Sequence, residues 1–160
     1  MPNPIKEALL GRGWAGKTIS RAETVEHLNP LLLQFLKLNH NYEYVTRTHS
    51  DAAVTEALER VQKTARADVG KLSETILSAG GTPENGTDLE PEDFNLGGDE
   101  LEMLYQLQDL ETEFNEALTR QRQEIEHQMR TRGILEALKS NSGERLELLA
   151  DLIERAQRTA

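Results

Sequence analysis

Four segments of this chain repeat apolar residues every third or fourth position, and each is bounded by helix-capping or helix-ending residues. That spacing lines one face of an α-helix, so a chain carrying four such stripes must bury them against one another. In the first segment Ser20 followed by Glu23 forms a capping-box pattern, in which the hydroxyl accepts from a free N–H and the carboxylate reaches back. The stripe Leu31, Phe35, Leu38, Tyr42, Val45 follows. Pro30 interrupts the segment, so either the helix kinks there or the main helix begins at Asn29-Pro30, with Asn as cap and Pro in the first turn.

Ser50-Asp51 caps the second helix after a very short turn, which forces it to run back along the first. Its stripe is Val54, Leu58, Val61, Ala65, Leu72, Ile76 and Ala79, and Gly80-Gly81 ends it, because glycine takes the left-handed conformation without steric cost. Asp99 with Glu102 caps the third helix, whose stripe is Leu101, Leu104, Leu107, Leu110, Phe114, Ala117 and Leu118, running toward about residue 127. A fourth helix is predicted over roughly 131–158 from Ile134, Leu135, Leu138, Leu146, Leu149, Leu152 and Ile153. Gly133 or Gly143 is the candidate for the turn between the last two.

Residues 82–98 connect the second and third helices and contain Pro83, Pro91, Glu84, Asp88, Glu90, Glu92 and Asp93, with no Lys or Arg. A connection of this length carries the chain to the far end of a bundle before the third helix starts. The reading is therefore an all-α, antiparallel four-helix bundle over residues 20–160 with one long acidic crossover. Residues 1–19 form a separate basic, Gly-containing tail with Lys6, Arg12 and Lys17 against Glu7, and Trp14 as its docking residue.

A formal charge of −10 opposes binding to the phosphate field of nucleic acid and to an anionic membrane surface. The absence of cysteine excludes disulfides, thiolate metal sites and thiol catalysis. No stretch is long and apolar enough to span a bilayer, and the N-terminus lacks the plan of a signal peptide, which places the chain in the cytoplasm by default.

Gly11-Arg12-Gly13-Trp14-Ala15-Gly16-Lys17-Thr18 matches GxxxxGK[ST], the loop that cradles nucleotide phosphates. That chemistry needs a preceding strand, a following helix and a parallel sheet, and the chain has no alternating βα pattern. Glu124 and His127 have the Glu-x-x-His spacing that puts a carboxylate and an imidazole on one helix face, but they fall near a helix end rather than at mid-bundle. His40 with Glu43 has the reverse order, while His27 and His49 sit at helix ends.

Lys71-Leu72, Glu74, Ile76-Leu77 and the Gly-Gly-Thr-Pro at 80–83 resemble the end of the second helix in bacterioferritins. Asp99-Glu100-Leu101-Glu102-Met103-Leu104 leading to Leu110-Glu111 resembles the start of their third, and Asp151-Leu152-Ile153 their last turns. The resemblance covers most of residues 28–155 and implies a ferritin-like bundle, a family that holds two irons between its helices. Carried across, the family's ligand positions fall on Phe35 in the first helix, Ala65 and Asp68 in the second, Glu111 in the third, and Lys139 and Ser142 in the fourth. Tyr42 keeps a tyrosine found in the family. Most of the ligands are thus replaced, and no catalytic residue is assigned.

Asp68 continues the Val61, Ala65, Leu72 stripe, so it either faces inward and needs a partner or lies at the stripe's edge and reaches water. If inward, Asp68, Glu111, Lys139 and Ser142 form a polar core in which the lysine ammonium stands in for metal charge. The expected function is then a non-catalytic ferritin-like module that binds a protein partner or itself as a homo-oligomer, without a cofactor. Two alternatives stay open: an iron-binding or ferroxidase-type bundle using Glu111, Asp68 and His40 in a displaced site, and nucleotide binding through the tail.

Overall fold

The computed structural model describes residues 20–94, 96–125 and 128–159. The basic tail with its GxxxxGK[ST] match and Trp14, and His127 of the Glu124–His127 spacing, lie outside the described residues. Four long helices carry the fold: α1 (Arg21–Thr48), α2 (Ala52–Ser78), α3 (Glu100–Glu124) and α4 (Met129–Thr159). A short 3₁₀ turn at Pro91–Phe94 interrupts the crossover, and the described residues contain no strand.

Each helix boundary has a chemical cause. The Ser20 hydroxyl accepts from the Glu23 amide at 3.1 Å while the Glu23 carboxylate accepts from the Ser20 amide at 3.4 Å, completing the capping box. Helix α1 then runs unbroken through Pro30, which sits on the exposed face. Asn29 is therefore not a cap. Its side chain instead donates to the Thr82 carbonyl and accepts from the Glu84 amide, pinning the start of the crossover to α1. Asp51 caps α2 by accepting from Ala53 at 2.9 Å.

Past the end of α2 the Gly80 and Gly81 amides donate to the Leu77 and Ile76 carbonyls, and Gly80 takes φ +85°. This is the paired-bond helix ending that needs a left-handed residue. A Cβ on Gly81 would stand 2.6 Å from both Val25 methyls, so glycine also lets this turn lie against the first turns of α1.

The crossover then follows α1 along its length. Lys37 pairs with Asp93 at 3.3 Å, and the Asn41 amide donates to the Asp93 carbonyl at 2.9 Å. The Glu90 amide, followed by Lys37, holds the Asp93 carboxyl below its ordinary value. At the far end the Ser50 amide and hydroxyl both donate to Glu100, which lowers that carboxyl too and fixes the start of α3 beside the α1–α2 turn. Helix α3 thus runs antiparallel to α1, and α4 returns antiparallel to α3.

Helix α3 ends at Glu124 and α4 begins at Met129; between them Ile125 is buried, and the Thr24 hydroxyl is bonded to the Gln128 side-chain amide. Gly133 and Gly143 both lie inside α4, so neither marks the turn. No helix among the described residues is long and apolar enough to cross a membrane.

The core is one cluster running the length of the bundle, from Leu28 and Ile76 at one end to Val45 and Val54 at the other. The stripes differ from the sequence reading at six positions, of which Ala79, Leu101 and Ile134 near helix ends are partly buried. Val61, Leu110 and Leu146 are only partly buried, while their neighbours Gln62, Glu111 and Arg145 are buried. In α3 the buried face runs Leu104, Leu107, Glu111, Phe114, Leu118, and in α4 it runs Leu138, Ser142, Arg145, Leu149, Leu152. Both follow strict alternation of three and four, the spacing that keeps one seam turned toward a neighbouring helix.

Candidate functional site, a buried charged core

Midway along the bundle the apolar cluster is replaced by a polar set to which every helix contributes. Tyr42 comes from α1, Asp68 from α2, Glu111 from α3, and Ser142 and Arg145 from α4. Glu111 and Asp68 are 0% exposed and Arg145 only 2%.

Glu111 is the centre of this set. Its Oε1 accepts from Arg145 Nε and from the Tyr42 hydroxyl at 2.8 Å; its Oε2 accepts from Arg145 Nη2 at 3.3 Å and from the Ser142 hydroxyl at 2.9 Å. An ionised carboxylate offers about four lone-pair sites. All of them are therefore used, and the guanidinium grips the carboxylate through two nitrogens, the geometry in which arginine binds such groups most strongly.

The guanidinium is held from below as well. Its central carbon lies 5.4 Å from the centre of the Phe35 ring, which stacks on Phe114 with centroids 4.4 Å apart and planes at 19°. The ring faces contribute attraction to the cation and fix its plane. Burial alone would make Arg145 easier to deprotonate, but the Glu111 carboxylate, with Tyr42 and Asp68, raises its pKa above the ordinary value. Tyr42 is pushed well above its ordinary value by burial first and by the Glu111 charge second, so the phenol stays protonated as a donor.

Asp68 is held differently. Its Oδ2 accepts from the Asn141 side-chain amide at 2.9 Å, while its Oδ1 lies 3.7 Å from the Lys71 ammonium and has no hydrogen-bond donor among the described residues. Arg145 Nη1 likewise lacks an acceptor there.

The structure therefore brings Glu111 and Ser142 into direct contact and buries Asp68 against Asn141, the residue before Ser142 on α4. It does not bring Lys139 to them. Lys139 is partly exposed, and the cation at Glu111 is Arg145, which lies at the buried point of the α4 stripe. His40 is exposed on the outer groove between α1 and α2, beside Glu43 and Arg66, and does not join the carboxylates. Among the described residues no three His, Asp or Glu side chains converge to hold a metal ion. The donor set does not fit a di-iron centre: Glu111 has no free lone pair, and a guanidinium occupies the space beside it.

Arg145 and Asn141 are the members of this site that neither apolar periodicity nor the resemblance assigned to it, whereas Tyr42 stood on the first helix's stripe. The available signal was spacing, because Arg145 stands three residues after Ser142 and four before Leu149, a core position by count though not by chemistry. No protein-family model matches the chain, and no curated protein matches it either.

Proposed function

We propose that this chain is a non-catalytic, ferritin-like bundle serving as a cytoplasmic structural and protein-interaction module, in which a buried Arg145–Glu111 pair stands where related bundles would hold metal. The carrying observation is the saturation of Glu111 by Arg145, Tyr42 and Ser142. A carboxylate so occupied cannot take a metal without displacing the guanidinium and leaving it buried and unpaired, which is strongly unfavourable. A buried polar set drawn from all four helices instead selects one helix register, since sliding α3 or α4 by a turn separates Glu111 from Arg145 and sliding α1 removes the Tyr42 donor.

The exposed acids Glu84, Asp88, Glu90 and Glu92 along the crossover support the interaction part of this reading, because they form a one-sign surface suited to a basic partner or to a basic part of a second copy. Two hairpins joined by a long crossover support the ferritin-like relation.

Metal analysis of the full chain purified after growth with added iron tests the proposal. It expects iron well below one equivalent, unchanged by Glu111→Ala. Stoichiometric iron that disappears in Glu111→Ala would overturn it and favour the iron-binding alternative.

A further inference from the structure

At the end of the bundle where α1 and α4 begin, a cavity of about 480 Å³ opens between α1, α2 and α4. Its size falls within the range of about 300–1,000 Å³ typical of small-molecule sites. Arg21, Lys71 and Arg130 line it, and Glu74 is the one acid among the described lining residues, leaving a formal surplus of two positive charges in a chain whose net charge is −10. Lys71 leans toward Asp68 yet remains 55% exposed, so its ammonium also faces the opening.

The Ser78 hydroxyl on α2 stands among these cations, while the neighbouring Thr75 and Thr131 hydroxyls already donate to the Lys71 carbonyl and the Gln128 side chain. The first turn of α4 faces the cavity, where its free N–H groups favour negative charge, whereas the first turn of α1 beside it is closed by the Ser20–Glu23 capping box. At the end of α2 the Thr75, Ile76 and Leu77 carbonyls accept from Ala79, Gly80 and Gly81. One wall is apolar, formed by Ile134 and by Met129, a methionine left 85% exposed.

We propose that this cavity binds a small phosphomonoester with an apolar body. The lining surplus matches a group carrying about −1.5 to −2 charge at neutral pH, the two guanidiniums and the Ser78 hydroxyl supply donors for the phosphate oxygens, and Ile134 and Met129 receive the apolar part. The site does not depend on the reading of the buried core, and it would give the bundle a means of sensing a phosphorylated metabolite.

The test is titration of the ¹⁵N-labelled full chain with phenyl phosphate at constant ionic strength, followed by amide chemical shifts. Saturable shifts confined to the first turns of α1 and α4 and the last turn of α2 are expected. The exposed double variant Arg21→Gln/Arg130→Gln weakens binding at least about tenfold, the consequence of losing a charge-assisted contact, whereas Arg47→Gln, on an exposed arginine elsewhere, leaves it unchanged. Shifts that do not saturate, an affinity unaltered in the double variant, or equal binding of benzoate would each overturn the proposal.

Discussion

Glu111 and Asp68 are both fully buried carboxylates at the middle of the bundle, yet their surroundings differ in kind. Glu111 meets a bidentate guanidinium, a phenol and a hydroxyl; Asp68 meets one amide and a half-exposed ammonium beyond hydrogen-bond distance, with one oxygen left without a donor. The difference shows that burial alone does not measure what an ionised group contributes. A saturated buried pair is stabilised only as a set, so removing one member exposes the rest to the full cost of desolvation. A sparsely held carboxylate has less to lose.

The largest expected effect follows from removing the cation. Arg145→Met leaves Glu111 buried without its charge partner and should cost about 3–5 kcal/mol in urea denaturation. Adding Glu111→Leu to that variant should restore part of the loss, since a matched apolar pair has no charge to desolvate. Equal stability of the single and double variants would show that the two residues are not coupled. Next comes Tyr42→Phe, which removes one hydrogen bond to a charged acceptor while Arg145 stays in place, with an expected loss of about 2 kcal/mol by the same measurement.

The same phenol sets a pH dependence. Its pKa is higher folded than unfolded, so its contribution is complete below the ordinary tyrosine value of 10.0 and is lost as pH rises through the higher folded value. Stability of the native chain should therefore fall above about pH 10, by at most about 1.4 kcal/mol per pH unit from this group, and Tyr42→Phe should flatten that fall. The smallest effect is expected at the other carboxylate: Asp68→Asn should change stability by less than about 1 kcal/mol, because removing a poorly satisfied buried charge offsets the lost attraction to Lys71 and Arg145. A loss at Asp68 as large as that at Arg145 would break the contrast between the two sites.

The helical elements were largely legible in advance because their signals are local. Ser20 with Glu23, Asp51, Asp99 and Gly80-Gly81 act on backbone groups within a few residues of themselves, so their chemistry is complete in the sequence. Pro30 was ambiguous for the opposite reason: a proline's missing N–H is tolerable in a helix whose exposed face lets the freed carbonyl reach water, and exposure is not a local property. The expected end of α3 and start of α4, about 127 and 131, lie within a few residues of the observed Glu124 and Met129, but neither Gly133 nor Gly143 marks the turn, because both lie inside α4.

Within the site, the places of Phe35, Glu111 and Ser142 on inward faces were readable from periodicity and resemblance together, whereas the identity of the cation was not. Lys139 and Arg145 lie six residues apart on one helix, and choosing between them needs the rotation of α4 about its axis relative to α3. Reading only apolar residues put Leu110 and Leu146 on the seam, a small rotation away from the true one.

The sequence by itself determined that four amphipathic helices would form, where most of them begin and end, and that a long acidic connection would separate two hairpins. Those outcomes depend on short-range hydrogen bonding and on the period of the α-helix. Only the tertiary structure decided that Arg145 closes on Glu111, that Asp68 is left with a single hydrogen-bond donor, and that Arg21, Lys71 and Arg130 gather around one cavity. Each of these depends on distances between side chains far apart in the chain, set by how four helices pack at once.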